Sequence, residues 1–143
     1  MNWLLVAVCA YFLGAIPFGY MVGKFLGVDI RQHGSGNVGF TNVWRTLGIG
    51  PAAVVLAGDL GKGWLSAFIG FQLAGELGAL LGGLLAIIGH TLSCFIHFKG
   101  GKGVATGAGV LLYMSPVTFL VCLVVLVMLC LITRYMSLGS ICA

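Results

Sequence analysis

The fold class of this chain is decided by NWLLVAVCAYFLGAIPFGYMVGKF, the apolar segment from Asn2 to Phe25. It has the length of a helix that crosses a bilayer, which needs about 20 apolar residues. Trp3 suits one membrane interface and Lys24 marks the other. Apolar runs of this kind recur along the chain. The sequence therefore predicts an all-α integral membrane protein, a polytopic helical bundle with about five transmembrane segments.

Composition supports this class and excludes others. Of 143 residues, 60% are hydrophobic and only 7% are charged, whereas a soluble domain carries about 25% charged residues. The period-two alternation of a membrane β-barrel is not visible. The net charge of +4 rests on seven basic residues that cluster beside the apolar runs, so they indicate topology and anion sites and no nucleic-acid partner. We treat residues 1–143 as a single membrane-embedded domain.

The cysteines show neither CxxC nor metal-like spacing, so we predict structural thiols and no metal site. Met1–Tyr11 has no basic region before its apolar run, and that run continues past it, so it is not expected to be a cleavable signal peptide. The cysteines are Cys9, Cys94, Cys122, Cys130 and Cys142.

Small residues and a proline interrupt the second half of the first segment, at Gly14, Pro17 and Gly19. They indicate either a kink that makes room for a ligand or close helix packing, and the sequence favours neither. The loop that follows, from about Gly27 to Gly39, is the most basic connection in the chain. By the positive-inside rule it lies in the cytoplasm, with the N-terminus outside.

The stretch GSGNVGFTNVWR, Gly34 to Arg45, follows in this loop and has the chemistry of an anion site. Its glycines allow tight turns that expose backbone N–H groups, and its short polar side chains add hydrogen bonds. Thr41 or Asn42 is expected to cap a helix that begins at about Val43. Arg45 should then lean back over the loop, because helical side chains tilt toward the N-terminus. The proposed anion-binding residues are Gly34, Ser35, Gly36, Asn37, Gly39, Thr41, Asn42 and Arg45.

The second span is predicted at Pro51 to Phe71 and contains Asp59 and Lys62. Ionisable residues at this depth should face the bundle interior and neutralise each other. The pair could orient groups of an active site or simply hold helices together, and the second alternative is slightly favoured. Glu76 is expected in the outer turn that follows.

The third span is predicted from Gly78 to about His97. Its glycines suit close helix packing. His90 and His97 lie seven residues apart and would share a helix face. Since further ligands are missing, each is more readily explained as a hydrogen-bonded structural histidine than as a metal ligand.

A second glycine-rich, cationic loop follows at Phe98–Thr106, FKGGKGVAT. Two spans separate it from the first loop, so both emerge on the same face. Glycines bring the backbone close to a ligand and lysines supply charge, but the spacing is not that of a nucleotide-binding P-loop. Together the two loops suggest two anions or one extended polyanion. The residues expected at this site are Gly100, Gly101, Lys102 and Gly103.

About 30 apolar residues from Val104 to Thr133 are broken at Ser115–Pro116. One long tilted helix or two short ones could cover them. Two helices return Arg134 to the cytoplasmic side, so we favour that alternative. The segment RYMSLGSICA then brings Ser140 in a third polar cluster to the same face.

The motifs GSGNVGFTNVWR, DLGKG, GHTLSCFIHFKGGKGVAT and SLGS, in this order and spacing from Gly14 to about Ser140, resemble the bacterial membrane-bound glycerol-3-phosphate acyltransferases that use acyl-phosphate. The resemblance implies transfer of a fatty acyl group to the sn-1 hydroxyl of glycerol 3-phosphate, giving lysophosphatidic acid and phosphate in phospholipid biosynthesis. It implies the bacterial inner membrane as the location, membrane lipids as neighbours and no cofactor.

Residue roles carried over from this resemblance divide the site in two. Ser35, Arg45 and Lys102 would bind the phosphate of glycerol 3-phosphate, and the loop with Asn37, Thr41 and Asn42 would cradle the acyl-phosphate head, with Ser140 nearby. Catalysis by positioning and electrostatics is expected, since neither a Ser–His–Asp arrangement nor an HX4D motif is visible. Family members continue with further helices and a C-terminal His and Asn, so the resemblance implies that this chain, which ends at Ala143, is short.

Two other functions remain open at this point. A small anion transporter would also use glycine-rich loops and an intramembrane Asp–Lys pair, although the internal repeats typical of transporters are not evident. An inactive structural fragment is the second alternative. Substituting Lys102 with alanine would separate these classes. An enzyme would lose turnover, a transporter would lose flux across a sealed vesicle, and a scaffold would lose neither.

Overall fold

The computed structural model describes residues 2–133, and the regular elements in that range are helical. The predicted all-α fold is therefore confirmed over this part of the chain. Ser140 and the third polar cluster lie outside the described residues. In chain order, the helices are α1 (Trp3–Ala15), α2 (Phe18–Phe25), α3 (Phe40–Leu47), α4 (Ile49–Thr91), α5 (Val104–Met114) and α6 (Pro116–Thr133), with short 3₁₀ turns at Ile30–Gln32 and Cys94–Ile96.

Three helical stretches in the described range are long and apolar enough to cross a membrane: Trp3–Phe25, Ile49–Ile96 and Pro116–Thr133. Many large apolar side chains point outward from the bundle, which is the arrangement that a lipid environment stabilises and water does not. The chain is a multi-pass membrane protein.

The first span is broken at Pro17, between α1 and α2. Because the helix is interrupted there, the carbonyls of Ala15 and Ile16 lose their intrahelical partners and need other donors. Ser93 Oγ donates to the carbonyl of Ala15, and Lys62 Nζ donates to that of Ile16 at 2.7 Å. The break is thus stabilised by side chains from elsewhere in the bundle.

Gly14 distinguishes the two alternatives for the small residues of this span, a kink that makes room for a ligand and close helix packing. A Cβ atom added there would collide with the backbone of Ala86 in α4, so α1 and α4 approach closely at this glycine. Residues 14–19 do not line the cavity described below. Close packing, rather than a kink that makes room for a ligand, explains them.

Helix α4 is a hairpin of two arms, because the backbone leaves helical geometry at Ala74–Gly75. Gly75 has a φ of 67°, which glycine adopts without the strain of a side chain. The arms, residues 49–73 and 76–91, then run back along each other so closely that a Cβ on Gly70 or Gly78 would meet the opposite backbone. The two predicted spans around Glu76 are these arms.

The third span reaches Ile96, close to its predicted end, but its α-helix is shorter than predicted. The second arm of α4 ends at Thr91 and not near His97. His97 instead has a φ of 57° in the left-handed region and is exposed. His90 and His97 therefore do not share a helix face. The physical reason is that backbone N–H groups of the second glycine-rich loop bind the last carbonyls of α4, as helix ends commonly require.

The segment from Val104 to Thr133 forms two helices, as the favoured alternative predicts. Ser115 has non-helical backbone geometry and separates α5 from α6. The first half of α5, with Val104, Ala105 and Ala108, and the middle part of α6, from Phe119 to Leu126, line the same cavity. With 11 residues, α5 is about 16 Å long and is shorter than the hydrocarbon core.

A small apolar core fixes the first glycine-rich loop against α2, α3 and α4. Because these side chains are at most 3% exposed, the loop is held by packing as well as by hydrogen bonds. The core consists of Ile30, Val38, Val43, Ala52, Val55 and Ile96.

Candidate active site

A cavity of about 410 Å³ lies where the two glycine-rich loops meet α4, α5 and α6. Its polar wall comes from both loops, which therefore lie next to each other as the sequence predicts. Most of the predicted site residues line it directly. They are Ser35, Asn37, Gly39, Thr41, Asn42, Arg45, Lys102 and Gly103.

Asn42 organises the first loop. Its side chain is buried, and its amide nitrogen lies 2.8, 3.0 and 3.2 Å from the carbonyl oxygens of Asn37, His33 and Ile30. Its side-chain oxygen accepts a hydrogen bond from the backbone N–H of Ser35 at 2.9 Å. One side chain thus contacts the backbone at four positions of the loop and holds them together. Sequence reasoning expected Asn42 to hold a ligand and missed this role.

The predicted helix cap at Thr41 or Asn42 was wrong. Helix α3 begins at Phe40, with Gly39 as its N-cap residue and no side-chain cap. Asn37 substitutes for a cap by accepting the N–H of Gly39 through its side-chain oxygen at 2.8 Å. This Asx-type turn ends at Gly39, and α3 begins at Phe40, three residues earlier than the predicted start at Val43.

The first turn of α3 lines the cavity with Phe40, Thr41 and Asn42. The first N–H groups of a helix lack intrahelical acceptors and carry partial positive charge, so this turn suits an anion. Arg45 follows on the same helix and reaches the cavity, as predicted from helical side-chain direction.

Asp29 and Arg31 form an ion pair that is separate from the cavity. Two arginine nitrogens, Nε and Nη2, lie 3.0 and 2.8 Å from the two carboxylate oxygens. The guanidinium also stacks over the Tyr20 ring, 4.4 Å from its centroid. Hydrogen bonds from Arg31 lower the pKa of Asp29 to about 2. Arg31 is therefore engaged in holding the loop and not in holding an anion.

The second loop is attached to the end of α4 by its glycines. The N–H groups of Gly100 and Gly101 donate to the carbonyls of Thr91 and His90 at 3.0 and 3.1 Å. Gly103, with a φ of 77°, is the N-cap residue of α5. These attachments place Lys102 in the cavity wall. Lys99 is exposed and does not line the cavity.

Two of the predicted glycines in each loop contribute to the site indirectly. Gly34, Gly36, Gly100 and Gly101 do not line the cavity. The turns and the backbone hydrogen bonds that these glycines allow position the residues that line it.

Ser140 lies outside the described residues. Between residues 2 and 133 no group of three His, Cys, Asp or Glu side chains is arranged to hold a metal ion.

Asp59 and His90 line the cavity as well, which sequence reasoning missed. Asp59 Oδ1 lies 2.9 Å from Lys62 Nζ and 3.4 Å from His90 Nδ1. Asp59 and Lys62 are both buried, as predicted. Lys62 Nζ binds the carbonyl of Ile16 in the first span, in agreement with the alternative that the pair holds helices together, and Asp59 lines the cavity. The available signal for His90 was its place in the motif GHTLSCFIHFKGGKGVAT, which leads into the second loop.

The remaining wall is apolar and continues from the polar loops along α5 and α6. It can cover an alkyl chain while the loops contact charged groups. This wall is formed by Leu56, Leu60, Val104, Ala105, Ala108, Phe119, Leu123 and Leu126.

A multi-pass helical bundle with a cationic, glycine-rich site open to an apolar wall defines a class, the membrane-embedded proteins that handle anionic amphiphiles. Comparison with known proteins identifies the member of that class. Residues 4–143 match the family model described as glycerol-3-phosphate acyltransferase. The chain belongs to this family and is an acyltransferase that acylates glycerol 3-phosphate.

Relatives and solved structures agree with this assignment. The glycerol-3-phosphate acyltransferase of Carboxydothermus hydrogenoformans is 50% identical over 96% of this chain and 71% of its own length. That of Bacillus subtilis is 44% identical, with 95% and 71% covered. Two crystal structures of PlsY (YgiH), an integral membrane glycerol 3-phosphate acyltransferase, have TM-scores of 0.94 and 0.91 at 41% and 40% identity.

The structural match covers 99% of this chain in both cases, and 72% and 71% of the matched chains. The two crystal structures are described as the glycerol 3-phosphate form and the lysophosphatidic acid form. The chain therefore spans a little over 70% of the length of these relatives.

Proposed function

We propose that the chain transfers a fatty acyl group from acyl-phosphate to the sn-1 hydroxyl of glycerol 3-phosphate, releasing lysophosphatidic acid and phosphate. The observation that carries this proposal is one cavity that joins two cationic loops to an apolar wall. Two phosphate-bearing substrates need two sets of anion ligands, and a fatty acyl chain needs the apolar wall.

Glycerol 3-phosphate is assigned to Ser35, Arg45 and Lys102. Arg45 and Lys102 are the Arg and Lys side chains found among the described lining residues. A guanidinium binds phosphate oxygens in pairs, and an ammonium adds a point charge. The hydroxyl of Ser35 can donate a further hydrogen bond. This set would hold the phosphate while leaving the sn-1 hydroxyl free to react.

The acyl-phosphate head is assigned to the first turn of α3 and to Asn37. Backbone N–H groups beginning at Thr41 suit the acyl-phosphate oxygens. Asn42 would contribute mainly by shaping the loop, because its side chain already binds loop backbone. The polar residues of the third cluster, with Ser140, would complete this side.

The acyl transfer follows from this placement of the two substrates. The sn-1 oxygen attacks the acyl carbonyl carbon, a new ester bond forms, and the bond from that carbon to the phosphate oxygen breaks. The departing phosphate takes the proton of the hydroxyl, so no protein base is required. Bringing the two substrates together lowers the entropic part of the barrier. Oriented N–H groups and the two cations stabilise the developing negative charge.

The proposed location is the bacterial inner membrane, with the active face in the cytoplasm and the N-terminus outside. This orientation rests on the basic residues of the two loops, which would lie on the cytoplasmic side by the positive-inside rule. It also places the site where water-soluble glycerol 3-phosphate and membrane lipids meet.

The test is turnover by the purified chain in detergent or lipid. Synthetic acyl-phosphate and acyl-CoA are offered separately with glycerol 3-phosphate, and products are followed by mass spectrometry and phosphate release, with NMR of the acylated position. We expect product only from acyl-phosphate, and acylation at sn-1. Product from acyl-CoA alone would overturn the donor assignment.

Lys102→Ala and Lys99→Ala form a matched pair for the site. Both remove a lysine from the same loop, but only Lys102 lines the cavity. We expect the KM for glycerol 3-phosphate to rise about tenfold or more in Lys102→Ala, from loss of a charged hydrogen bond, and to stay constant in Lys99→Ala. Uptake of glycerol 3-phosphate into sealed vesicles without turnover would favour the transporter instead.

A further inference from the structure

Asp59 and His90 line the cavity, yet the proposed chemistry gives them no role. They come from opposite arms of α4 and are 2% and 7% exposed. A carboxylate beside a site for phosphates is unfavourable unless it is neutralised and serves a purpose. The contacts around the two residues indicate what that purpose is.

Contacts run without interruption from the helix break to His90. Lys62 Nζ donates to the carbonyl of Ile16 at 2.7 Å and lies 2.9 Å from Asp59 Oδ1. The same carboxylate oxygen lies 3.4 Å from His90 Nδ1. Lys62 thus both neutralises Asp59 and anchors it to the backbone of the first span. Asp59 Oδ1 accepts no hydrogen bond from the described part of the chain, so the carboxylate restrains the imidazole through close approach and through electrostatic attraction to the polar edge of the ring.

The other side of the imidazole supports Gly101. A Cβ atom added to Gly101 would collide with His90 Nε2, so the ring packs directly against the glycine Cα. The N–H of Gly101 also donates to the backbone carbonyl of His90 at 3.1 Å. His90 therefore holds the residue before Lys102 through both its backbone and its side chain.

This geometry points to a positioning role, because one ring nitrogen faces Asp59 and the other faces Gly101. We propose that His90, oriented by Asp59, positions Lys102 for the phosphate of glycerol 3-phosphate. The inference rests on the proposed role of Lys102 and extends it. It predicts that His90 acts on substrate affinity through Gly101 and does not take part in proton transfer.

The primary test measures the KM and kcat of the full chain, and the Kd for radiolabelled glycerol 3-phosphate at equilibrium. We expect His90→Ala to raise KM and Kd about tenfold, comparable to loss of a hydrogen bond to a charged group, with a smaller change in kcat. His90→Gln retains a polar side chain of similar length and should fall between wild type and His90→Ala. His97→Asn, at an exposed histidine whose left-handed backbone asparagine tolerates, should leave all three constants unchanged.

A double-mutant cycle separates positioning from general destabilisation. Gly101→Ala alone should raise KM, because its Cβ collides with the imidazole. In the His90→Ala background the same substitution should have little further effect, since the ring is absent. His90→Ala added to Lys102→Ala should likewise leave KM where Lys102→Ala puts it.

The outcomes distinguish this inference from the function on which it rests. If Lys102→Ala raises KM while the His90 variants leave KM and Kd unchanged or lower only kcat, the inference is overturned and the proposed site stands. Additive effects of Gly101→Ala and His90→Ala would overturn it as well. If Lys102→Ala changes neither KM nor Kd, the proposed phosphate site fails, and the inference with it.

Discussion

Gly34 and Asn42 are fitted to each other across the first glycine-rich loop. Gly34 has a φ of 57°, and a Cβ atom there would collide with the side-chain oxygen of Asn42. That oxygen accepts the N–H of Ser35 at 2.9 Å. The glycine is therefore required twice, by the backbone conformation and by the side chain that holds the loop closed. This pairing connects the shape of the loop to the position of Ser35 in the cavity.

Replacing Asn42 with alanine should damage both stability and activity. The substitution leaves the N–H of Ser35 and the loop carbonyls without their partner, and one unsatisfied buried polar group costs about 1–3 kcal/mol. We expect a lower free energy of unfolding in detergent, measured by denaturant titration, together with loss of turnover. Asn42→Asp is the matched variant, because it keeps an acceptor for Ser35 but loses the donors. Unchanged stability with lost turnover would instead show that Asn42 acts as a ligand.

Gly34→Ala is predicted to weaken substrate binding, and Gly27→Ala separates the effect of backbone strain from the effect of the collision with Asn42. Both glycines have positive φ, but an added Cβ at Gly27 would meet nothing within 4 Å. Gly27→Ala should thus cost only the strain of the left-handed conformation, about 1–2 kcal/mol. Gly34→Ala should also displace Asn42 and raise the KM for glycerol 3-phosphate. Equal KM values in the two variants would contradict the fit between Gly34 and Asn42.

The spans and the two loops could be predicted because they depend on local features of the sequence. Apolar run lengths locate helices, Pro17 and Pro116 mark breaks, and glycines beside cations mark anion loops. The pairing of the loops followed from counting spans. These features depend on neighbouring residues and on the order of the segments, so they can be recognised without knowledge of the tertiary contacts.

The roles of Asn42 and His90 could not be predicted, because they depend on contacts formed only after folding. Asn42 reaches back 12 residues to Ile30, and Asp59 meets His90 across the α4 hairpin. A short polar residue in a loop and a histidine at a helix end carry no local sign of such partners. The start of α3 was misjudged for a different reason, because the local turn between Asn37 and Gly39 precedes the helix where a side-chain cap at Thr41 or Asn42 was expected.

The Asp29–Arg31 pair predicts a pH dependence of stability at the loop. The folded-state pKa of Asp29 is lowered to about 2, below its ordinary value of about 3.9. The ionised carboxylate therefore contributes stability that is fully present above about pH 4 and is lost as the pH falls through about 2. The unfolding temperature of wild type should exceed that of Asp29→Asn above pH 4, and the difference should shrink toward pH 2. A difference that stays constant over this range would contradict the ion pair.

Lys62→Met should strongly destabilise the bundle, because it breaks two buried interactions at once. Lys62 Nζ satisfies the carbonyl of Ile16 at the Pro17 break and compensates the charge of Asp59. Removing one partner of a buried ion pair costs about 3–5 kcal/mol, much of it from the charge left behind. Adding Asp59→Asn should recover part of this loss in unfolding measurements in detergent, since the uncompensated charge is then gone. The remainder measures the orphaned carbonyl of Ile16. If the double variant is no more stable than Lys62→Met, charge compensation is not what Lys62 supplies.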